Sequence, residues 1–217
     1  MPYGDALALQ ERVRDARQAD AVPDVLLLLE HPPVYTRGRR SDVSELLLGE
    51  DWYAAQGIEI VDVDRGGRVT YHGPGQLVGY PIMRIGEIIG FLRTMEDVIV
   101  AALASEGVDA RGGADRPTGV WVGERKIASL GLHVSRRVTT HGFAVNVDND
   151  LTPFEWIVPC GLDGVQITSL ARETGRDDAM ACFRKRIAFE FAQACGLRQR
   201  IVTRGRLDAA VGELVAG

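Results

Sequence analysis

Residues 65–76 have the sequence Arg-Gly-Gly-Arg-Val-Thr-Tyr-His-Gly-Pro-Gly-Gln, in which four of the twelve residues are glycine. Apolar runs on either side, Ile58–Val63 and Leu77–Ile82, predict a strand before and after this glycine loop. Glycine permits positive φ and close backbone approach, so such a loop can present successive N–H groups to negative charge. The spacing matches neither a Walker A loop nor the dinucleotide-binding Gly-x-Gly-x-x-Gly pattern. A tight β-connection that needs glycine for its turn explains the segment equally well.

The composition is that of an ordinary globular protein. The chain has 217 residues, of which 46% are hydrophobic and 25% charged, and its net charge of −5 argues against bulk nucleic-acid binding. The three cysteines are few and odd in number, which indicates a reducing compartment without a disulfide framework. The N-terminus lacks a signal-peptide pattern, and the longest aliphatic run, Val25–Leu29, is too short to span a bilayer. We therefore expect a cytoplasmic protein with no membrane or nucleic-acid partner.

The order of predicted elements indicates one α/β domain over residues 1–217, of the α+β type. We expect a large, mostly antiparallel or mixed sheet with helices packed on it, because strands and helices do not alternate in strict βαβ order. The segment Asp24–Glu30 is predicted to be a fully buried strand. The tail after Leu197 carries no recognisable pattern. Helices are predicted at Tyr3–Ala19, Glu87–Glu106, Thr168–Glu173 and Asp178–Cys195, and further strands at Val34–Arg37, Ile58–Asp64, Gln76–Met83, Thr118–Val122, Arg125–Val134 and Val138–Val147.

Cys160 is a candidate nucleophile because it lies between Pro159 and Gly161, outside every predicted helix and strand. Cys182 and Cys195 instead fall on the last predicted helix. A thiol reacts as its thiolate, so a nucleophilic cysteine needs a nearby cation or hydrogen-bond donors. Position alone is also compatible with a structural thiol.

Lys126 is a second candidate. Alternation along the strand Arg125–Val134 predicts that it shares the inward face with Ala128, Leu130, Leu132 and Val134. Lysine is rarely buried without a partner, and burial favours its neutral form, which suits proton transfer. A lysine at a strand end that extends to water is the alternative. If Lys126 and Cys160 meet, the ammonium would stabilise the thiolate, and the two would form a nucleophile–base pair.

The remaining polar candidates are histidines and arginines. His72 in the glycine loop and His141 on a strand are candidate site residues, whereas His133 is predicted to lie on the surface. No histidine spacing suggests zinc, so we predict no metal site. The basic cluster Arg37–Arg40 is explained by a solvated loop or by a docking patch for an acidic partner.

Three segments in this order resemble the bacterial octanoyltransferases of lipoate biosynthesis, the lipoyl(octanoyl) transferase or LipB family. The first is the glycine loop. The second, 119–131, reads Gly-Val-Trp-Val-Gly-Glu-Arg-Lys-Ile-Ala-Ser-Leu-Gly. The third, 141–147, reads His-Gly-Phe-Ala-Val-Asn-Val and is followed by Pro153-Phe154 and Pro159-Cys160-Gly161. The resemblance runs from about Ala6 to about Leu197.

This resemblance implies the fold of the biotin/lipoate protein ligase superfamily. It implies that octanoyl passes from acyl carrier protein to a lysine of lipoyl domains in 2-oxo-acid dehydrogenases and the glycine cleavage H protein, without a cofactor. It implies that Cys160 forms an acyl-thioester intermediate and that Lys126 acts as acid and base. We expect a monomer. The implied substrate-binding residues are Arg65, Gly66, Gly67, Arg68, Val69, Thr70, Tyr71, His72, Ser129, Leu130, Gly131, Gly142, Phe143 and Ala144.

An eight-carbon acyl chain needs an apolar groove. Ordinary core packing explains the candidate lining residues equally well: Leu77, Val78, Tyr80, Leu130, Phe143 and Val145. Surface arginines would steer acidic protein partners despite the negative net charge.

Three other functions remain open at this point. An ATP-dependent lipoate or biotin ligase of the same fold would use the glycine loop for an acyl-adenylate phosphate. A non-catalytic carrier-binding protein would need neither Lys126 nor Cys160. A thioesterase would use water in place of the amine.

Overall fold

The computed structural model describes residues 1–158 and 164–212. Its larger sheet has five strands in the order β1-β5-β8-β7-β6, and every neighbouring pair is antiparallel. This confirms the predicted α/β fold with a mostly antiparallel sheet. The strands are β1 (Val25–Leu29), β5 (Gln76–Ile82), β6 (Val120–Val122), β7 (Arg125–Ser135) and β8 (Val138–Asn146).

A second sheet of three strands stands beside it, in the order β3-β2-β4. Its central strand β2 (Val34–Arg37) pairs in parallel with β3 (Glu59–Asp62) and antiparallel with β4 (Thr70–His72). Strand β4 lies inside the glycine loop, for which a ligand-binding loop and a tight β-connection were both open. The loop therefore carries the chain from one sheet to the other, and the three-stranded sheet stands beside the expected large antiparallel sheet. Thr70–His72 can pair with β2 because no glycine or proline interrupts the stretch from Arg68 to His72.

Helices cover both faces of the five-stranded sheet. Helices α3 and α5 pack on the face that carries Leu77, Phe143 and Val145, and form the main core with them. Helices α1 and α6 pack on the opposite face. The helices are α1 (Tyr3–Gln18), α2 (Glu50–Ala55), α3 (Ile88–Ala104), α4 (Leu170–Thr174), α5 (Met180–Ala194) and α6 (Arg204–Gly212), with two 3-10 turns at Val43–Glu45 and Thr152–Trp156.

Local chemistry explains where the long helix α3 begins and ends. The Glu87 carboxylate accepts hydrogen bonds from the N–H groups of Ile89 (2.6 Å) and Gly90 (2.5 Å), two donors that have no partner within the helix. Gly107, with φ of +83°, follows the last turn and takes a conformation that glycine adopts without strain. The apolar stripe of α3 is thereby held against the sheet.

Two predictions about the fold need correction. Strand β1 is only partly buried, because it forms an edge of the sheet and has β5 on one side only. Helix α6 was not predicted, because its buried side is only Leu207 and Val211, which pack near Leu9 and Val13 of α1. Among the described residues, no helix is long and apolar enough to cross a bilayer.

Candidate active site

The site is a cavity of about 430 Å³ over the α1 side of the five-stranded sheet. The surface of the sheet is recessed there because neighbouring positions of β7 and β8 carry small residues. Ser129 lies opposite Ala144, and Gly131 lies opposite Gly142. Four small residues on adjacent strands leave a groove in which a ligand can lie against the backbone.

The glycine loop forms the roof of this groove. The Gly66 N–H donates to the Leu132 carbonyl of β7 at 2.9 Å, and a Cβ atom on Gly131 would stand 2.7 Å from the Gly66 oxygen. Glycine at 131 therefore permits the loop to lie this close to the sheet. The Arg65 guanidinium donates from Nη2 to the carbonyl and hydroxyl oxygens of Thr36, each at 2.7 Å, and ties the loop to β2.

The structure brings most of the predicted substrate-binding residues together. Gly66, Val69 and Tyr71 do not line the cavity: Gly66 contacts β7, whereas Val69 and Tyr71 are buried in a cluster with Tyr35 and Phe154. The predicted residues that line the cavity are Arg65, Gly67, Arg68, Thr70, His72, Ser129, Leu130, Gly131, Gly142, Phe143 and Ala144.

Some lining residues differ from those expected for an acyl groove. Leu77 and Val145 belong to the main core and do not reach the cavity. Tyr3, Pro117 and Thr118 line it and were not predicted. Tyr3 carried a detectable signal, because it falls one helical turn before Ala6 on the apolar stripe of α1.

Lys126 lines the cavity, for a reason other than simple strand alternation. The pairing of β6 with β7 shifts register at this point, which is a β-bulge. Ile127 and Ala128 therefore both belong to the main core, while Lys126 is on the cavity side with Ser129 and Gly131. The prediction that Lys126 shares a face with Ala128 was wrong.

The Lys126 side chain is 3% exposed and closely surrounded. Its Nζ lies 5.5 Å from the centroid of the Trp121 ring, a cation–π distance. A Cβ on Gly119 would stand 2.8 Å from the Ala128 carbonyl oxygen and 2.5 Å from Lys126 Cε, and the φ of Gly119 is +147°, so only glycine fits there without strain. The buried carboxylate of Glu96 holds Gly119 in place by accepting a hydrogen bond from its N–H at 3.0 Å. The amine is thereby confined to one place in the cavity.

Cys160 belongs to residues 159–163, outside the described residues, but both flanks of this segment are fixed. On the N-terminal side, the Val158 N–H donates to the Glu45 carbonyl at 2.9 Å. The Glu45 side chain accepts from the Val69 N–H of the glycine loop at 3.2 Å and from Arg68. On the C-terminal side, the Lys126 N–H donates to Gln166 at 2.8 Å, and Thr168 donates back to Lys126 at 2.9 Å.

Two buried histidines stand at the inner end of the cavity. His72 Nδ1 lies 2.7 Å from Gln76 Oε1, and the Gln76 amide nitrogen donates to the Tyr71 and Asn146 oxygens. Oε1 is therefore an acceptor, and His72 carries its proton on Nδ1. His31 Nε2 lies 2.8 Å from the Tyr80 hydroxyl, and its Nδ1 lies 2.8 Å from the Met1 carbonyl, to which only an N–H can donate. Burial lowers the pKa of His31 to about 4 and that of His72 to about 3.

Acid is expected to destabilise the fold through these two histidines. The unfolded chain binds protons at each of them below an ordinary pKa of 6.5, whereas the folded protein does not until about pH 4 for His31 and about pH 3 for His72. Stability is therefore lost as pH falls below 6.5. From about pH 7.5 to about pH 5, each histidine should lower the unfolding free energy by roughly 2 kcal/mol. Urea denaturation at both pH values should show a loss smaller by about that amount in His31→Gln. An equal loss in both proteins would contradict this assignment.

His141 lies beside the cavity in an unusual conformation. Its φ is +58°, which is uncommon for a residue with a side chain, and its Nε2 donates to Asp64 at 2.7 Å. Its Nδ1 is buried and has no hydrogen-bond partner in the described part of the chain. Burial alone would raise the pKa of Asp64, but contacts with His141 and His133 hold it below its usual value. His133 is partly buried beside Asp64, with a side chain 17% exposed, so its predicted surface position was only partly correct.

No group of three His, Cys, Asp or Glu residues within 1–158 and 164–212 is arranged to hold a metal ion. The described site offers a buried lysine and a groove lined by both polar and apolar residues, which suit the handling of an acyl group.

The fold is that of lipoate protein ligases. A chain from the structure of the bi-partite lipoate protein ligase and its E2 lipoyl domain from Thermoplasma acidophilum superposes with a TM-score of 0.74 at 18% identity. The match covers 100% of this chain and 89% of that one. The family model of the lipoyl protein ligase A/B catalytic domain matches residues 2–192.

Sequence relatives show to which group within this family the chain belongs. The octanoyltransferase of Rubrobacter xylanophilus is 44% identical over 199 residues, which are 90% of either chain. That of Geobacter sulfurreducens is 46% identical over 196 residues, covering 88% of this chain and 80% of the relative. The chain belongs to the lipoyl protein ligase A/B catalytic-domain family and, within it, to the octanoyltransferases of lipoate biosynthesis. It is an acyltransferase, as the resemblance implied.

Proposed function

We propose that this enzyme carries octanoyl on Cys160 as a thioester between two half-reactions, with Lys126 moving the protons. In the first, the Cys160 thiolate attacks the carbonyl of a thioester donor, and the bond to the donor sulfur breaks. The donor leaves as a thiol after it takes a proton from Lys126. In the second, a lysine amine of the acceptor attacks the Cys160 thioester. Lys126 takes a proton from that amine, and the thiolate leaves again.

The observation that carries this proposal is that the described residues on either side of 159–163 are held beside the glycine loop and the backbone of Lys126. Cys160 is two residues from Val158, whose N–H is bound to Glu45, and the same Glu45 binds the glycine loop. Two residues of chain span at most roughly 7 Å. On the other side the backbone of Lys126 itself holds Gln166 and Thr168. These anchors support the proposal because both belong to elements that border the cavity.

Backbone groups can stabilise the oxyanion that forms in each half-reaction. The candidates are N–H groups of the glycine loop and of residues 160 and 161. Fixed donors in an enclosed site stabilise such a charge more than water does, because they need no reorganisation.

The proposed partners are those that the family resemblance implies. We propose octanoyl-acyl carrier protein as donor and lipoyl domains of 2-oxo-acid dehydrogenases and the glycine cleavage H protein as acceptors. A thioester donor already carries the free energy needed to form an amide, so the reaction needs no nucleotide and no cofactor.

Transfer without ATP tests this function. Octanoyl-acyl carrier protein and a lipoyl domain, with the enzyme in nucleotide-free buffer, should give an octanoylated lysine detectable as a mass increase of the domain. Free octanoate offered with ATP and Mg²⁺ should give none. A strict requirement for ATP would instead assign the chain to the ligases, and release of octanoate without transfer would make it a thioesterase.

A further inference from the structure

The cavity is lined by both exposed and buried residues. Arg40, Arg68, Pro117 and Thr118 are exposed to solvent. Three ring side chains in the lining are 6% exposed or less: Tyr3, His72 and Tyr80. We name these three residues the end wall.

Strand register shows that Tyr80 of the end wall and Lys126 lie at different levels along the groove. Gly79 pairs with Phe143, so Tyr80 is level with Gly142, which pairs with Gly131. Lys126 lies five residues from Gly131 along β7, and one of these residues belongs to the β-bulge. About four strand steps of roughly 3.3 Å separate the two levels, so the backbones at Lys126 and Tyr80 are ~13 Å apart along the strands. The side chains occupy part of this distance. This length suits a medium-chain acyl group held by its carbonyl near Lys126.

The end wall is rigid because its members come from different elements and are bonded from behind. The rings of Tyr3 and His72 stack with centroids 6.0 Å apart and an interplanar angle of 13°. His31 backs the wall and bonds to the Tyr80 hydroxyl at 2.8 Å. His72 is held by Gln76 at 2.7 Å. Neither the Tyr80 hydroxyl nor the His72 ring can move aside without breaking a buried hydrogen bond, which is costly.

The wall is also uncharged at neutral pH. Burial lowers the pKa of both His31 and His72 and raises that of Tyr3 to about 12. The pKa of Tyr80 is likewise raised, mainly by burial. Neutral ring faces can meet the methyl end of an acyl chain without desolvating an ion.

We propose that the end wall sets the upper length of the acyl chain, with Tyr3 as its main specificity-determining residue. This inference rests on the proposed function. A chain that ends at the wall buries all its methylenes, whereas a longer one must bend or leave part of itself outside. Tyr3 is the member at the start of α1, so its truncation extends the groove without interrupting a strand of either sheet.

The test compares Tyr3→Ala with Tyr3→Phe by the rate of Cys160 acylation from hexanoyl, octanoyl, decanoyl and dodecanoyl donors on acyl carrier protein. In Tyr3→Ala the ratio of decanoyl to octanoyl kcat/KM should rise about 15-fold, which is about fourfold for each newly buried methylene. Tyr3→Phe keeps the ring and should keep the wild-type ratio. Tyr3→Leu, which retains more packing, replaces Tyr3→Ala if that variant does not fold, and should raise the ratio in the same direction.

The outcomes separate this inference from the proposed function. An unchanged chain-length profile in a folded, acylating Tyr3→Ala or Tyr3→Leu protein would overturn the inference alone. An equal fall with every donor would also overturn it, because Tyr3 would then support the site in general. Failure of the wild-type enzyme to form any acyl adduct on Cys160 would overturn the proposed function instead.

Discussion

Replacement of Cys160 by alanine is expected to abolish octanoyl transfer, with kcat reduced about 10⁴-fold or more, because the proposed mechanism carries the acyl group on this thiol. The direct attack of an acceptor amine on the donor thioester would remain, helped only by the binding of both substrates in one site. Such residual catalysis is small compared with the covalent route. Single-turnover transfer of octanoyl from acyl carrier protein to a lipoyl domain measures this loss.

The other cysteines are matched controls for this prediction. Cys182 is exposed on α5, and Cys195 is partly buried at its end, where burial raises the pKa of its thiol. A raised pKa leaves less of the reactive thiolate. Cys182→Ala and Cys195→Ala should therefore transfer octanoyl at close to the wild-type rate. Retained transfer in a folded Cys160→Ala protein would remove the thioester intermediate from the mechanism.

Replacement of Lys126 by methionine is expected to slow both half-reactions by 10² to 10⁴, about the range that general acid–base catalysis contributes. Methionine keeps the length of the side chain and most of its apolar stem, so it fills the space between Trp121 and Gly119. The loss should therefore appear in kcat while the thermal midpoint changes little. Stopped-flow acylation followed by a separate transfer step would measure each half-reaction.

The chain provides a close control, because its only other lysine is Lys185, exposed on α5. Lys185→Met removes the same charge from a surface position and should leave both rates unchanged. If Lys126→Met acylated and transferred at near-normal rates, Lys126 would have only a structural role, and another base would be required.

Much of this fold can be predicted from the sequence because the patterns that specify its helices and hairpins are local. The helical spacing of apolar residues gave α1, α3 and α5 to within about two residues at each end. The alternating strands and tight turns gave the hairpins formed by β6, β7 and β8. Family-specific motifs added the candidate site residues, since three of these motifs occur in order.

What was not predictable depends on pairings between distant segments. The second sheet requires Thr70–His72 to pair with Val34–Thr36, and no local pattern signals such a partner. The bulge beside Lys126 changes which residues share a face, although period two is intact in the sequence on either side. Tyr3 and His72 are far apart in the sequence but stack in the structure. The end wall of the cavity therefore forms only through tertiary packing.

The most direct test of the account is intact-protein mass spectrometry of the enzyme after brief mixing with octanoyl-acyl carrier protein and no acceptor. We expect one octanoyl adduct, located on Cys160 by peptide mapping, absent in Cys160→Ala, and discharged when a lipoyl domain is added. A wild-type protein that transfers octanoyl to the lipoyl domain without ever carrying the adduct would contradict the account.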